Sequence, residues 1–125
     1  AYEIGSGLVG SEMCIRDRIY NVKVLSYYNG RMRLKYYNRT ESHDLTINLK
    51  DTYLDEDKIF LDPYVVKSNL INVLKKGRII RCITGINYFN NIEIPVAQVN
   101  MGILRSYDKI GVKNYLNNKG GKPYE

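Results

Sequence analysis

No run of apolar residues in this chain approaches the roughly 20 that a membrane-spanning helix needs, so nothing in the sequence points to a bilayer. Tryptophan is absent, and Cys14 and Cys82 are the only cysteines. Cys14 belongs to the N-terminal segment set aside below, and the one thiol then left cannot form an internal disulfide, so no oxidised framework is indicated and a cytoplasmic setting fits. Histidine occurs once, as His43. A general base or a metal ligand needs partners, and the adjacent Ser42 and Asp44 alternate faces with His43 on an extended strand. Ser-His-Asp in direct succession therefore cannot make a catalytic triad by itself, and a surface histidine is expected. The glycines offer no phosphate-binding loop: Gly102 and the pair Gly120-Gly121 fit no such spacing. The acidic run Asp55-Glu56-Asp57 lacks the spacing and the glycine of a calcium loop. No nucleophile with a positioned base is visible, and no cofactor motif occurs. The expectation is a protein without catalysis.

What is present begins with an unusual N-terminus, AYEIGSGLVGSEMCIRDR. Leu8 to Asp17 resembles one reading frame of a transposase-based sequencing-library adaptor running into its mosaic end. Ala1-Tyr2-Glu3-Ile4 resembles the flow-cell primer that precedes that adaptor, and Gly5, Ser6 and part of Gly7 stand where a sample barcode would lie. The resemblance implies that residues 1–18 are an artefact fused to the protein and are to be set aside from fold reasoning. Gly5, Gly7 and Gly10 favour flexibility, so this segment is expected to be disordered or, at most, to prolong the first strand through Cys14 to Arg18. It should add little to the core.

The remainder, 19–125, has the length of one domain. The N-terminal segment carries Arg16 and Arg18 against Glu3, Glu12 and Asp17, so without it the formal charge rises from +6 to +7. Cys82 is then the only cysteine, sits in an apolar stretch, and is expected to be an inert core thiol. Asn, Lys, Ile and Tyr dominate, and Ala97 is the only alanine after residue 18. Those four residues have AT-rich codons. Lysine enrichment therefore follows from a low-GC genome without any anionic partner, although a basic balance also suits nucleic acid.

Along the chain, 19–37 is expected to form a β-hairpin about Asn29-Gly30, because that dipeptide supplies the positive φ of a type I′ turn. A two-residue loop would set Tyr27 opposite Met32 and Leu25 opposite Leu34. Leu25, Tyr27, Met32 and Leu34 would then face the core. The outer face would carry Val22, Val24, Tyr28, Arg31, Arg33, Lys35 and Tyr37. His43 to Leu49 alternates as a half-buried strand, with Leu45, Ile47 and Leu49 on one side. Lys50 to Asp57 is a solvated loop, and Lys58 to Leu61 a short strand. Val66, Leu70, Ile71, Val73 and Leu74 form a helical stripe over Val66 to Lys76, capped by Asp62 or Ser68 and stopped at Gly77. Arg78 to Thr84 and Ile92 to Val99 are strands, the second an edge or bulged strand because Pro95 donates nothing to a ladder. Asn100 to Gly102 is expected to turn the chain. Tyr107 to Asn118 is a second helix with Ile110, Tyr115 and Leu116 on its apolar side, Gly111 counting against it. The fold class is α+β: a small antiparallel sheet of four or five strands, the main helix packed on one face, and a short C-terminal helix. The domain spans 19–118, with a flexible tail over 119–125.

The order of Asp44-Leu45-Thr46-Ile47-Asn48-Leu49, acidic loop, Ile59-Phe60-Leu61-Asp62, helix Asn69 to Lys76, Thr84-Gly85 and Glu93-Ile94-Pro95 resembles a domain-of-unknown-function family. Its members are small proteins of phages and mobile elements in low-GC Gram-positive bacteria. The resemblance covers Leu25 to Val99; Ile83 stands where that family has a proline before Thr-Gly. It implies a phage or mobile-element accessory protein, with no activity to carry over.

Two partner classes follow. The first is a host protein. The second is nucleic acid, bound by the outer face of the hairpin, where Tyr28, Arg31, Arg33, Lys35 and Tyr37 interleave rings and cations that suit stacked bases and phosphates. The plainer alternative for that face is an ordinary solvated ribbon.

Overall fold

The computed structural model describes residues 12–120. Two four-stranded antiparallel sheets and four helices make an α+β fold. The first sheet holds β1 (Met13–Ile15), β2 (Arg18–Ser26), β3 (Met32–Tyr37) and β4 (Ser42–Asp44), in that order. The second holds β5 (Thr46–Ile47), β6 (Lys58–Leu61), β7 (Ile80–Phe89) and β8 (Ile92–Val99), ordered β5-β6-β8-β7. One sheet was expected, and Leu45 is where the alternation from His43 to Leu49 divides in two. Its N–H donates to Leu34 O at 2.8 Å, and its carbonyl accepts Asp62 N–H at 3.0 Å, so one residue serves both sheets.

The β2–β3 hairpin differs from expectation by one register step. Ser26 pairs with Met32, Val24 with Leu34, and Val22 with Tyr36. The loop has three residues, not two: Gly30 N–H donates to Tyr27 O, and Tyr27 N–H donates to Arg31 O, each at 2.8 Å. Gly30 takes φ +87°, the left-handed residue that follows a type I turn in this loop class. Side-chain period along a strand is two, so a single step exchanges the faces of β2. Tyr20, Val22 and Val24 are therefore buried, while Leu25 and Tyr27 are only half-buried. Met32 and Leu34 on β3 face the core as expected.

Residues 1–11 lie outside the described residues, and with them most of the segment expected to be disordered. Met13–Ile15 does not prolong β2 but folds back along it, with Met13 opposite Tyr20 and Ile15 opposite Arg18. Arg16 and Asp17 make the turn with φ 49° and 67°. Met13 is 3% exposed and belongs to the main core, contrary to the expectation that this stretch adds little there. Among the described residues β2 has no other partner on that side, so the extended chain that precedes it in sequence has a ready ladder to join.

The single helix expected over Val66 to Lys76 is two helices, α1 (Pro63–Lys67) and α2 (Leu70–Lys76). Asn69 at φ 63° breaks them, and Asp62 caps the first by accepting Tyr64 N–H at 2.8 Å. Leu70 and Leu74 are buried as expected, whereas Val66 is exposed. At the far end Gly77 keeps a right-handed φ of −79°, and Arg78 takes the left-handed position at φ 62°. Arg78 N–H to Lys75 O and Ile79 N–H to Leu74 O complete a Schellman close.

Asn100 was expected only to turn the chain, but it caps a helix, α3 (Met101–Tyr107), by accepting Ile103 N–H at 3.2 Å. α4 (Lys109–Gly120) follows and packs with α3 against β2. These two helices, not α2, cover that strand. Among the described side chains of α4, Val112 and Tyr115 are the buried hydrophobic ones, while Ile110 and Leu116 are exposed. Gly111 lies where α4 meets the Val24 carbonyl and the Asp108 carboxylate, so closely that no β-carbon fits. That close approach explains a glycine inside a helix. α4 runs to Gly120, and the remainder of the expected tail, 121–125, lies outside the described residues.

β8 is a central strand, yet Pro95 is tolerated because β6 pairing ends at Val96 and Pro95 has only Ile86 of β7 beside it. β7 runs past Gly85, its expected end, to a hairpin turn at Asn90-Asn91 with φ 52° and 67°. One core cluster gathers buried residues from both sheets and all four helices. A small second cluster, Leu49, Phe60 and Ile94, sits under the outer part of the β7–β8 ribbon. No helix among the described residues is long and apolar enough to cross a membrane.

Candidate functional site

The residues singled out on the first hairpin lie on one hairpin, but the cations among them are already engaged. The Arg31 guanidinium donates to Leu49 O at 2.7 Å and to Thr52 O, and lies over the Phe60 ring at 5.8 Å from its centroid. It staples the loop after β5 to the tip of the hairpin. Arg33 forks onto Asp44, with Nε to Oδ1 at 3.0 Å and Nη2 to Oδ2 at 3.3 Å, and covers Tyr27. That pairing pushes the Arg33 pKa up still further. Lys35 stands 3.9 Å from the same carboxylate. Tyr37 is half-buried beside Lys23 and Asn38 in a shallow cavity. Tyr28 alone stands well clear of the surface, on the turn. Charge that is paired at home offers less to a phosphate, because each internal bond has to be exchanged.

A second constellation surrounds His43. Its Nε2 lies 2.7 Å from Glu41 Oε1, and its ring stacks on Tyr36 at 5.0 Å. Glu41 Oε2 accepts Tyr20 OH at 2.6 Å and Arg18 Nη1 at 3.1 Å. Hydrogen bonds from His43 and Tyr20 foremost, with Arg18 adding, hold the Glu41 carboxyl down at about 2. The same bond to Glu41 holds the Tyr20 phenol above its ordinary value. These groups line an open cavity of about 370 Å³ with Tyr64 and Arg16 at its rim. Residues two apart on an extended strand share a face, so Glu41 was the partner of His43 to look for; Ser42 and Asp44 point elsewhere. The Ser68 hydroxyl, which also lines the cavity, donates to Tyr64 O at 2.7 Å. Among the described residues no group of histidine, cysteine and carboxylate side chains is arranged to hold a metal.

Cys82 is exposed on β7, not buried in the core as expected. A bulge between Ile80 and Cys82 shifts the alternation, turning a thiol that the apolar sequence pattern would bury toward solvent. The acidic loop is likewise more than a solvated run. Glu56 O accepts the Tyr115 hydroxyl at 2.6 Å, and Asp57 accepts Gln98 Nε2 at 2.8 Å. Burial, with the Glu56 and Asp57 charges behind it, pushes the Tyr115 phenol up to about 12.

The feature that sequence reasoning missed is the outer β7–β8 ribbon. From Cys82 through Ile92 there is no charged residue, in a chain of which 26% is charged. Ile86, Tyr88, Phe89 and Ile92 are 49%, 67%, 53% and 49% exposed. Asn90-Asn91 between two apolar runs was the available signal, an asparagine pair able to take two positive φ values. No family model, curated protein or solved structure matches this chain.

Proposed function

We propose that this chain is a small non-enzymatic accessory protein that acts in the cytoplasm by binding another protein through its outer β7–β8 ribbon. One observation carries the reading: large apolar side chains stand exposed on both faces of this ribbon, Ile86 and Tyr88 on one and Phe89 and Ile92 on the other, in a strongly basic chain whose β7 carries no charge from Cys82 onward. Exposed apolar surface marks contact sites, and charge depletion is the compositional signature of interface centres; Glu93, opposite Tyr88, is the one charge on β8. The resemblance of Leu25 to Val99 to phage and mobile-element proteins supports a host protein as the partner. Nucleic-acid binding through Arg31, Arg33 and Lys35 is the second reading, and the internal bonds of those cations count against it.

The two readings separate in one experiment. Tyr88→Lys should abolish specific capture of a partner from host lysate, while Arg33→Ala should retain it. Nucleic-acid affinity that falls steeply with salt and depends on Arg33 would reverse the order. For residues 1–18 an adaptor origin is proposed on their resemblance alone. Amplifying the gene without transposase tagging should return different codons upstream of Ile19; the same codons would refute that origin.

A further inference from the structure

We infer that the free edge of β7 takes a second copy of this chain, joining two four-stranded sheets across a twofold axis at Asn87. The inference rests on the reading of the β7–β8 ribbon as a contact surface and names the partner at its edge.

The geometry follows from the turn. Asn90-Asn91 is a two-residue loop, so Phe89 and Ile92 form its hydrogen-bonded closing pair. Bonded and non-bonded pairs alternate along an antiparallel ladder, which makes Asn87–Ile94 bonded and leaves Tyr88–Glu93 and Ile86–Pro95 non-bonded. Pro95, which has no N–H, suits a non-bonded position. The N–H and C=O groups of Ile86 and Tyr88 therefore point away from β8, and among the described residues no strand lies beyond β7.

Edges of this kind are ordinarily blunted by charge, proline or bulges. β7 has register shifts between Ile80 and Cys82 and between Ile83 and Gly85, but from Gly85 to Phe89 its register is unbroken. That stretch, Gly-Ile-Asn-Tyr-Phe, holds neither charge nor proline.

Antiparallel pairing about Asn87 matches the strip to itself. Ile86 falls opposite Tyr88 of the second copy, and both present outward backbone groups, so they form bonded pairs. Gly85 falls opposite Phe89 of the second copy. A β-carbon built on Gly85 would meet nothing within 4 Å, so that flank has open space for an aromatic ring, which can cover a glycine on a neighbouring strand. Two copies of a chain with formal charge +6 repel at long range, and this strip is where they can meet without opposing like charges. The twofold operator closes the assembly at two copies.

Sedimentation and directed crosslinking test it. Asn87 would face its own copy as a non-bonded pair, with Cα atoms roughly 4.5 Å apart, inside the range of about 4.4–6.8 Å that a disulfide spans. In a background with Cys14 and Cys82, both exposed, replaced by serine, Asn87→Cys should link two chains on mild oxidation. Asn90→Cys, at the hairpin tip, should not. The full chain should sediment as a dimer and Tyr88→Lys as a monomer. A chain that stays monomeric up to about 1 mM, with Asn87→Cys linking no faster than Asn90→Cys, overturns the inference. Lysate capture that still depends on Tyr88 would then leave the wider contact reading standing, and loss of that dependence would remove it as well.

Discussion

Glu41 gathers three side chains, His43, Tyr20 and Arg18, around one carboxylate. With its pKa at about 2 against an ordinary 4.5, the folded state favours the charged form. Its contribution to stability is therefore fully present above about pH 4.5 and is lost as pH falls through 2. Urea unfolding measured from pH 6 down to 2 should show this loss in the parent chain. Glu41→Gln should flatten that part of the profile; an unchanged profile would mean the cluster adds nothing. The constellation was only half legible in sequence. His43 was singled out, but its partner lies two residues back, and Tyr20 and Tyr36 arrive from other strands. The residues chosen on the hairpin were legible as a group, since Arg33, Lys35 and Tyr37 do share the outer face. Their engagement was not, because Asp44 and the Leu49 and Thr52 carbonyls reach them through tertiary contacts.

At the scale of the element, strands were read better than helices. Lys58–Leu61 and Ile92–Val99 appear with the expected bounds, because alternation and flanking polar residues define them locally. The hairpin register was missed because Asn-Gly fits two loop lengths, and the three-residue form with Gly30 left-handed wins by burying Val22 and Val24. Asn69 and the Asn100 cap were likewise hidden, since asparagine suits a turn, a cap or a left-handed break equally well. Leu70→Ala should cost roughly 2–5 kcal/mol in denaturant unfolding, because Leu70 is 5% exposed within the main core; a cost near zero would place it outside. Gly111→Ala should destabilise by about 1–3 kcal/mol or more, despite alanine's higher helix propensity. A β-carbon there would collide with the Val24 carbonyl. A stabilised Gly111→Ala chain would show that α4 and β2 do not approach as described.

For the whole molecule, the segment before Ile19 and the ribbon from Ile80 to Val99 sit at opposite extremes. The first resembles foreign sequence, yet its Met13 is 3% exposed within the core; a free strand edge accepts whatever extended chain is tethered beside it. Deleting 1–17 should therefore lower the thermal midpoint, on the order of 10 °C, from the lost burial of Met13 and its ladder. An unchanged midpoint would show that β1 adds nothing. The ribbon leaves apolar surface uncovered, and its use as a contact surface, with the β7 edge as the place where a second strand joins, is the central claim. Amide hydrogen exchange at Ile86 and Tyr88, followed by NMR over a series of protein concentrations, tests it most directly. Both N–H groups face away from β8, so in a lone chain they exchange freely. Protection at these two amides that rises with concentration, or on adding a captured partner, is the expected result; exchange that stays fast and constant under both conditions would contradict it.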